Sequence, residues 1–366
     1  MRLLHLADLH LDRAFGGLAF TGCDGSRRRA LLREALEWGV GLAESEKAAA
    51  LVISGDLFEL EHVTADTVAF ITRQLGRLKC PVLVTSGNHD SASPASPYRV
   101  AGWPSNVSLA LDSRATTVNL KEAVLVGLGY GGRDLSPSAL ERLPARGSDT
   151  RPRLLVVHGV DLDSVSSEFK WGGLGVRAAD LDRLGFDHAL LGHVHAGKSG
   201  ERMSWPGSPV PLDPAETTGL HGALWVDIED GKVTTTPVPA NLAHFESLTL
   251  DVTDFTDSSE LSAAVGAALS VVDGGKTALV SCRLTGRRAR TLAVDAAAVA
   301  AQWSSSVLGL NVLDNSVTEI DLHELAREPT ARGTAIGRLL EDGSAEALWA
   351  AHLLAEAFEA DIRVPA

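Results

Sequence analysis

Short apolar runs alternate with amphipathic stretches through the first half of the chain, the pattern of strands and helices stacked in turn. Arg2 to Ala7 reads as a strand. Ser26 to Lys47 follows as a helix with Leu32, Ala35, Leu36, Gly39 and Ala43 along one stripe, and Ala50 to Ser54 is the next buried strand. Thr64 stands where a second helix needs its N-cap. Val68, Ile71, Leu75 and Leu78 then recur at helical spacing, and Pro81 to Thr85 returns to a strand. Between Val107 and Gly129 the runs shorten and alternate around polar breaks, predicting antiparallel strands joined by turns. Leu154 to Val157 and Ala189 to Leu191 resume the buried-strand pattern, and Gly222 to Ile228 is expected to close the second sheet of a sandwich.

A boundary is expected near Asn241, giving domains over 1–240, 241–325 and 326–366. In the second, Ser247 to Val252, Thr277 to Leu284 and Thr291 to Val294 read as strands around a helix over Ser259 to Leu269, a compact α/β module. After Pro329 come two helical stretches, Thr330 to Leu340 and Ser344 to Glu359. The latter sets Leu348, Ala351, Ala355 and Phe358 along one face, expected to dock on its own domain.

Composition narrows the setting. With 45% apolar and 22% charged residues among 366, the chain has ample core and is not disordered. His5 and Asp8 interrupt the opening apolar residues before a signal peptide could form, and no later run is long enough to span a bilayer. Cys23, Cys80 and Cys282 are too few and too scattered for a disulfide framework or a thiolate zinc site, so a cytoplasmic setting is expected. A net charge of −14 opposes broad nucleic-acid binding and requires any DNA contact to be local. Carboxylates gathered to hold cations would contribute to the same excess.

Five short motifs close predicted strands: Asp8-Leu9-His10, Gly55-Asp56, Gly87-Asn88-His89-Asp90, His158-Gly159 and Gly192-His193-Val194-His195. Strand ends in α/β sheets gather in one crevice, so these distant residues are expected to share one centre. Alternate residues of extended backbone point the same way, which would pair Asp8 with His10 and His193 with His195. Asp8, His10, Asp56, Asn88, His158, His193 and His195 then form an oxygen and nitrogen cage for two divalent ions, suited to manganese, iron or zinc. Two such ions roughly 3.5 to 4 Å apart activate water and neutralise charge on a phosphoryl group. His89 is placed to protonate a leaving oxygen or to steady the transition state, with Asp90 orienting its ring.

The order of these motifs resembles the calcineurin-like metallophosphoesterase superfamily over about Met1 to Pro239. Within it, residues 5–12, Gly55-Asp56-Leu57-Phe58, Phe186 to His195 and the loop Trp205 to Pro209 resemble the SbcD and YhaO-type DNA-repair exonucleases. The resemblance implies a four-layer αββα sandwich with a small C-terminal α/β capping domain. It implies one ion on Asp8, His10 and His195, another on Asn88, His158 and His193, Asp56 between them and His89 as the catalytic histidine. Some nucleases of the group place a second histidine three residues after the bridging aspartate, where this chain has Glu59; His62 is out of register. Such nucleases also commonly work with a long SMC-like ATPase, which makes that an expected partner beside DNA; a second copy of the chain is another.

Two arginine clusters offer phosphate contacts: Arg27, Arg28 and Arg29 at the start of the first helix, and Arg283, Arg287, Arg288 and Arg290 around an expected hairpin turn at Thr285-Gly286. Phe169, Lys170 and Trp171 could stack on a base or cover the site. Three functions fit: a manganese-dependent DNA exonuclease or endonuclease, a phosphodiesterase or phosphatase for smaller substrates, and a non-catalytic metal-binding subunit.

Overall fold

The computed structural model describes residues 1–16, 19–132, 134–164 and 173–359, so the stretch with Phe169, Lys170 and Trp171 lies outside the described residues. The chain divides into two compact units. One comprises Met1–Glu246, Val272–Val280 and Ser304–Asn311; the other comprises Ser247–Val271, Ser281–Trp303 and Val312–Ala366.

The first unit opens with β1 (Arg2–Leu6), α1 (Gly25–Ser45), β2 (Ala50–Ser54), α2 (Ala65–Gly76), β3 (Val82–Thr85), α3 (Pro97–Val100) and β4 (Val107–Ala110). It continues with β5 (Thr116–Asn119), β6 (Val124–Gly127), α4 (Ser138–Glu141), β7 (Arg153–Asp161), β8 (Leu174–Val176) and α5 (Ala178–Leu184). The last elements are β9 (His188–Gly192), β10 (Lys198–Ser199), β11 (Met203–Trp205), β12 (Gly222–Glu229) and β13 (Lys232–Pro239). Asp24 caps α1 by accepting from the Arg27 amide, and Thr64 caps α2 by accepting from Thr67, which fixes where both helices start.

Two sheets follow, one ordered β13-β12-β1-β2-β3-β4 and the other β10-β11-β9-β7-β6-β5, with β8 paired to β7. Because side chains alternate along a strand, each sheet sends odd and even residues to different layers. Leu51 and Ile53 of β2 pack with Leu32 and Leu36 of α1, while Val52 joins Leu83, Leu154, Val156 and Leu190 between the sheets. Leu155 and Val157 face outward onto Leu140 and Leu181. The result is the αββα order of layers. Ile53 is fully buried next to the β2 end that carries the site, and truncating it to Ala would cost about 2–5 kcal/mol.

Several expected details differ. Gly222 to Ile228 does not close the second sheet: β12 pairs antiparallel with β1 and extends the first. A buried apolar run identifies a strand but not its partner. The region after Val107 is not a simple antiparallel meander either, because β4 runs parallel to β3, β5 antiparallel to β6, and β6 parallel to β7.

Beyond β13 come β14 (His244–Asp251), α6 (Ser258–Ser270), β15 (Ala278–Thr285), β16 (Arg287–Arg288), α7 (Ala296–Trp303), β17 (Gly309–Asp314) and β18 (Val317–Thr318). β14, β15 and β17 form a three-stranded sheet. Thr291 to Val294 is not a strand. Nor is Thr285-Gly286 a hairpin turn: Gly286, at φ +96°, turns the chain into β16, which pairs parallel with β18. Then α8 (Leu322–Ala326), α9 (Ala331–Asp342) and α10 (Ala345–Glu359) pack around Leu322, Leu325, Ile336, Ala351 and Ala355. Leu348 stands off that face, 41% exposed, and the Phe358 side chain is outside the described residues. Among the described residues, no helix is long and apolar enough to cross a membrane.

Candidate metal centre

β1, β2 and β3 run parallel, as do β7 and β9, so the loops after them open at matching strand ends. Asp8 and His10 follow β1, Asp56 follows β2, Asn88 and His89 follow β3, His158 sits near the end of β7, and His193 and His195 follow β9. Loop backbones extend the pairing: Asp8 N–H donates to Gly55 O at 3.2 Å and His10 N–H to Asp56 O at 2.9 Å.

The expectation that extended backbone aims these side chains is corrected. Asp8, His10, Asp56 and His193 all have left-handed backbone, at φ of 53°, 44°, 51° and 88°. Asp and His tolerate that region better than most residues, and strained backbone of this kind clusters at functional sites. Gly55 and Gly87 permit the crowding. A Cβ on Gly55 would meet the His158 ring, and one on Gly87 would meet the Asp56 carboxylate.

Among the described residues, three groups of potential ligands converge, each with its ligand atoms within 4.8 Å of one another: Asp8, His10 and His195; Asp8, Asp56 and His158; and His10, Glu59 and His89. Asp56 Oδ2 lies 3.1 Å from His158 Nε2 and 3.6 Å from His10 Nε2, between the first two groups. His193 Nδ1 is 3.2 Å from His158 Nε2. The Oδ1 of Asn88 and Nε2 of His10 are buried without a hydrogen-bond partner. Such atoms are costly to bury unless something binds them, and the donor set of carboxylate, amide and imidazole fits divalent cations. Asp8, His10, Asp56 and His158 form a floor closed to water, whereas His89 stands at the rim with its side chain 43% exposed.

Behind the ligands lie braces that spacing did not reveal. Glu59 accepts from Nδ1 of His10 and from Nδ1 of His89, both at 2.8 Å. Glu216 accepts from Nδ1 of His195 at 2.8 Å and from the Leu212 amide at 2.8 Å. His158 Nδ1 donates to Ser54 O at 3.0 Å. Each brace commits one ring nitrogen and leaves Nε2 for the centre, as outer partners of metal-binding histidines do. Glu59 is visible in sequence only as a departure from a family pattern, and Glu216, 21 residues beyond His195, carries no local signal.

Asp90 does not orient His89. It is fully buried, and its carboxylate accepts from the Gly87 amide at 2.5 Å, the Leu57 amide at 2.7 Å and the Tyr98 hydroxyl at 2.6 Å. It ties together the loops after β2 and β3, and Glu59 holds the ring instead.

The arginine clusters separate. Arg28 is buried, its guanidinium 3.8 Å over the Phe15 ring and donating to Leu212 O at 2.9 Å, so it holds the Glu216 loop and presents no charge to DNA. Arg27 pairs with Glu34, and Arg29 contacts Ser26 at 3.2 Å. In the other cluster Arg288 donates to Leu292 O at 3.0 Å, while Arg283, Arg287 and Arg290 are exposed.

Charge follows geometry. Burial alone would raise the Asp56 carboxyl, but His158, His10 and His89 outweigh it and hold it far below the usual range. Burial likewise opposes protonation of His158, yet Asp56 lifts it to about 9. The Glu59 hydrogen bond raises His89. Burial, with Asp56 nearby, pushes Asp90 up to about 7.

A sequence profile of calcineurin-like phosphoesterases matches residues 1–197. The chain is 25% identical over 274 residues to "Uncharacterized metallophosphoesterase YhaO" of Bacillus subtilis, covering 71% of this chain and 65% of that protein, less than two thirds of the relative's length. Among solved structures, TT1561 of Thermus thermophilus is 16% identical, covering 64% of this chain and 98% of that one at a TM-score of 0.41. A dimetal phosphatase from Danio rerio is 12% identical, covering 64% and 97% at 0.39.

Proposed function

The chain belongs to the calcineurin-like phosphoesterase family, and on that premise we propose that it is a two-metal, manganese-dependent DNA nuclease working in cytoplasmic DNA repair. The observation that carries the hydrolytic part is the meeting of Asp8, His10 and His195 with Asp56 and His158, in a site where Asn88 Oδ1 and His10 Nε2 are buried without a hydrogen-bond partner. Divalent ions bound there supply charge neutralisation and an activated water. Asp8 is common to both groups of ligands, Asp56 lies between His158 of one and His10 of the other, Glu59 and Glu216 fix the imidazoles that face them, and Asp90 locks the loops. His89, at the rim, hands a proton to the departing ester oxygen. The step to DNA rests on the motif resemblance, and the exposed Arg283, Arg287 and Arg290 are the side chains assigned to phosphate contact.

A second reading, a phosphodiesterase of small molecules, is favoured by the cavity beside His89. It holds about 460 Å³, and its lining includes Glu59, Glu61 and Asp134. Carboxylates there repel a polyanionic strand more than a single diester. Metal-reconstituted protein incubated with end-labelled single-stranded, double-stranded and hairpin DNA, and separately with nucleotide diesters, tests both. Metal-dependent DNA shortening that disappears in His89→Ala supports the nuclease. Turnover of small diesters alone overturns it in favour of the second reading.

A further inference from the structure

Glu59 reaches the buried floor and the exposed rim with one side chain. Oε1 accepts from Nδ1 of His10 and Oε2 from Nδ1 of His89, each at 2.8 Å, and the two rings meet edge-on with centroids 4.9 Å apart. Its side chain is only 14% exposed, with Arg13 Nη1 3.4 Å from Oε1. Its backbone is held as firmly: the Glu59 amide donates to Leu11 O at 2.9 Å, and the next residue, Leu60, donates to His89 O at 3.0 Å. The carboxylate therefore sits on the loops that carry both histidines, not on a mobile arm.

An ionised carboxylate only accepts, so both Nδ1 atoms carry their hydrogens and Nε2 is the uncommitted nitrogen of each ring. For His10 that nitrogen is the buried, unpartnered one beside Asp56. We propose that Glu59 is a positioning residue that sets the ring tautomer of the metal ligand and of the leaving-group acid together, so that metal binding and proton delivery fail together when it is lost. This rests on the two-metal hydrolase reading. In the hydrolysis, water oxygen bonds to phosphorus and gives up one proton to solvent, and the phosphorus–ester oxygen bond breaks with its electron pair on the ester oxygen. That oxygen takes the Nε2 proton of doubly protonated His89, which keeps its Nδ1 hydrogen on Glu59 and is reprotonated from solvent. Glu59 touches neither water nor ester; it acts through the two rings. The same three side chains are close enough to hold a cation, but each nitrogen–oxygen distance is that of a charge-assisted hydrogen bond, and a cation would have to replace both.

The test compares full-length wild type, Glu59→Ala, Glu59→Gln, His89→Ala and the Glu59→Ala/His89→Ala double variant. Calorimetric titration with Mn²⁺ reads metal affinity. Turnover at saturating Mn²⁺ is measured on bis(p-nitrophenyl) phosphate, whose leaving group departs without a proton, and on diphenyl phosphate, whose leaving group is more basic. Glu59→Ala is expected to weaken Mn²⁺ binding by about 10- to 100-fold. It is also expected to slow diphenyl phosphate at least about tenfold more than the nitrophenyl ester, since general-acid catalysis contributes ~10²- to 10⁴-fold. His89→Ala should show the leaving-group effect without the metal effect, and the double variant should add only the metal effect. Glu59→Gln retains one acceptor and should lose one of the two effects; it carries the test if Glu59→Ala does not fold. Unchanged Mn²⁺ affinity in Glu59→Ala, or equal slowing of both esters, overturns the assignment, as does a third Mn²⁺ per wild-type chain that vanishes in Glu59→Ala. If wild type hydrolyses neither diester, the hydrolase reading fails, while the Mn²⁺ titration still decides whether Glu59 supports His10.

Discussion

His5, His188 and His158 are all withdrawn from water, yet they end in opposite states. Nε2 of His5 lies 2.7 Å from Ser54 Oγ, and Nε2 of His188 lies 2.6 Å from Ser204 Oγ. With hydroxyls for partners, burial dominates and pushes His5 down to about 3 and His188 to about 4, so both stay neutral. His158 is as deeply buried, but Asp56 overrides the same penalty and raises it to about 9. A neighbouring carboxylate, rather than burial, separates a histidine that fills a core from one that can exchange its proton for a cation.

Chelation gives the largest expected effect. Stripping divalent ions should abolish phosphoester hydrolysis and re-addition should restore it; full activity after exhaustive chelation breaks the division between the two kinds of histidine. Next comes Asp56→Asn, which removes the carboxylate whose Oδ2 lies 3.1 Å from His158 Nε2 and 3.6 Å from His10 Nε2. A loss of several kcal/mol of charge stabilisation corresponds to about a 10³-fold fall in turnover, with metal content by mass spectrometry falling alongside. Glu216→Ala should weaken metal binding by about 10- to 100-fold through His195, whereas His188→Gln should leave it unchanged. Equal losses in the two variants would erase the distinction.

The smallest effect is on stability in acid. The folded pKa values of His5 and His188 lie below the unfolded value of 6.5, so the unfolded chain takes up protons first as pH falls. Their contribution is full above about pH 6.5 and erodes toward pH 4, by up to about 1.4 kcal/mol per pH unit for each. Urea unfolding of wild type and His188→Gln at pH 7 and pH 5 measures it. The variant should lose less stability between the two, and identical losses would show that His188 is not held neutral.

The layered core was legible because apolar runs bounded by polar residues identify buried strands without any partner information. Which sheet received Gly222 to Ile228 was not, since a strand buried on both faces reads as the same apolar run wherever it pairs. The convergent residues announced themselves as short motifs at strand ends, but their support did not. Asp90 follows His89 in sequence and yet serves Gly87, Leu57 and Tyr98. Glu59 and Glu216 act across space, where a 2.8 Å contact needs no fixed spacing along the chain. Arg28 shares a run with Arg27, which is exposed, and Arg29, which is half-buried, and the Phe15 ring beneath it together with the Leu212 carbonyl decides its different fate.

Two backbone amides end on the carboxylates of the floor. His193 N–H donates to Asp8, at 3.0 and 3.1 Å from its two oxygens, and His89 N–H donates to Asp56 Oδ1 at 2.9 Å. Each amide proton is therefore a resonance whose chemical shift follows the charge on one carboxylate. In a nitrogen-15-labelled sample, titration with a diamagnetic ion such as zinc would register arrival at Asp8 and at Asp56 as separate signals, and the order of filling could be followed without a substrate.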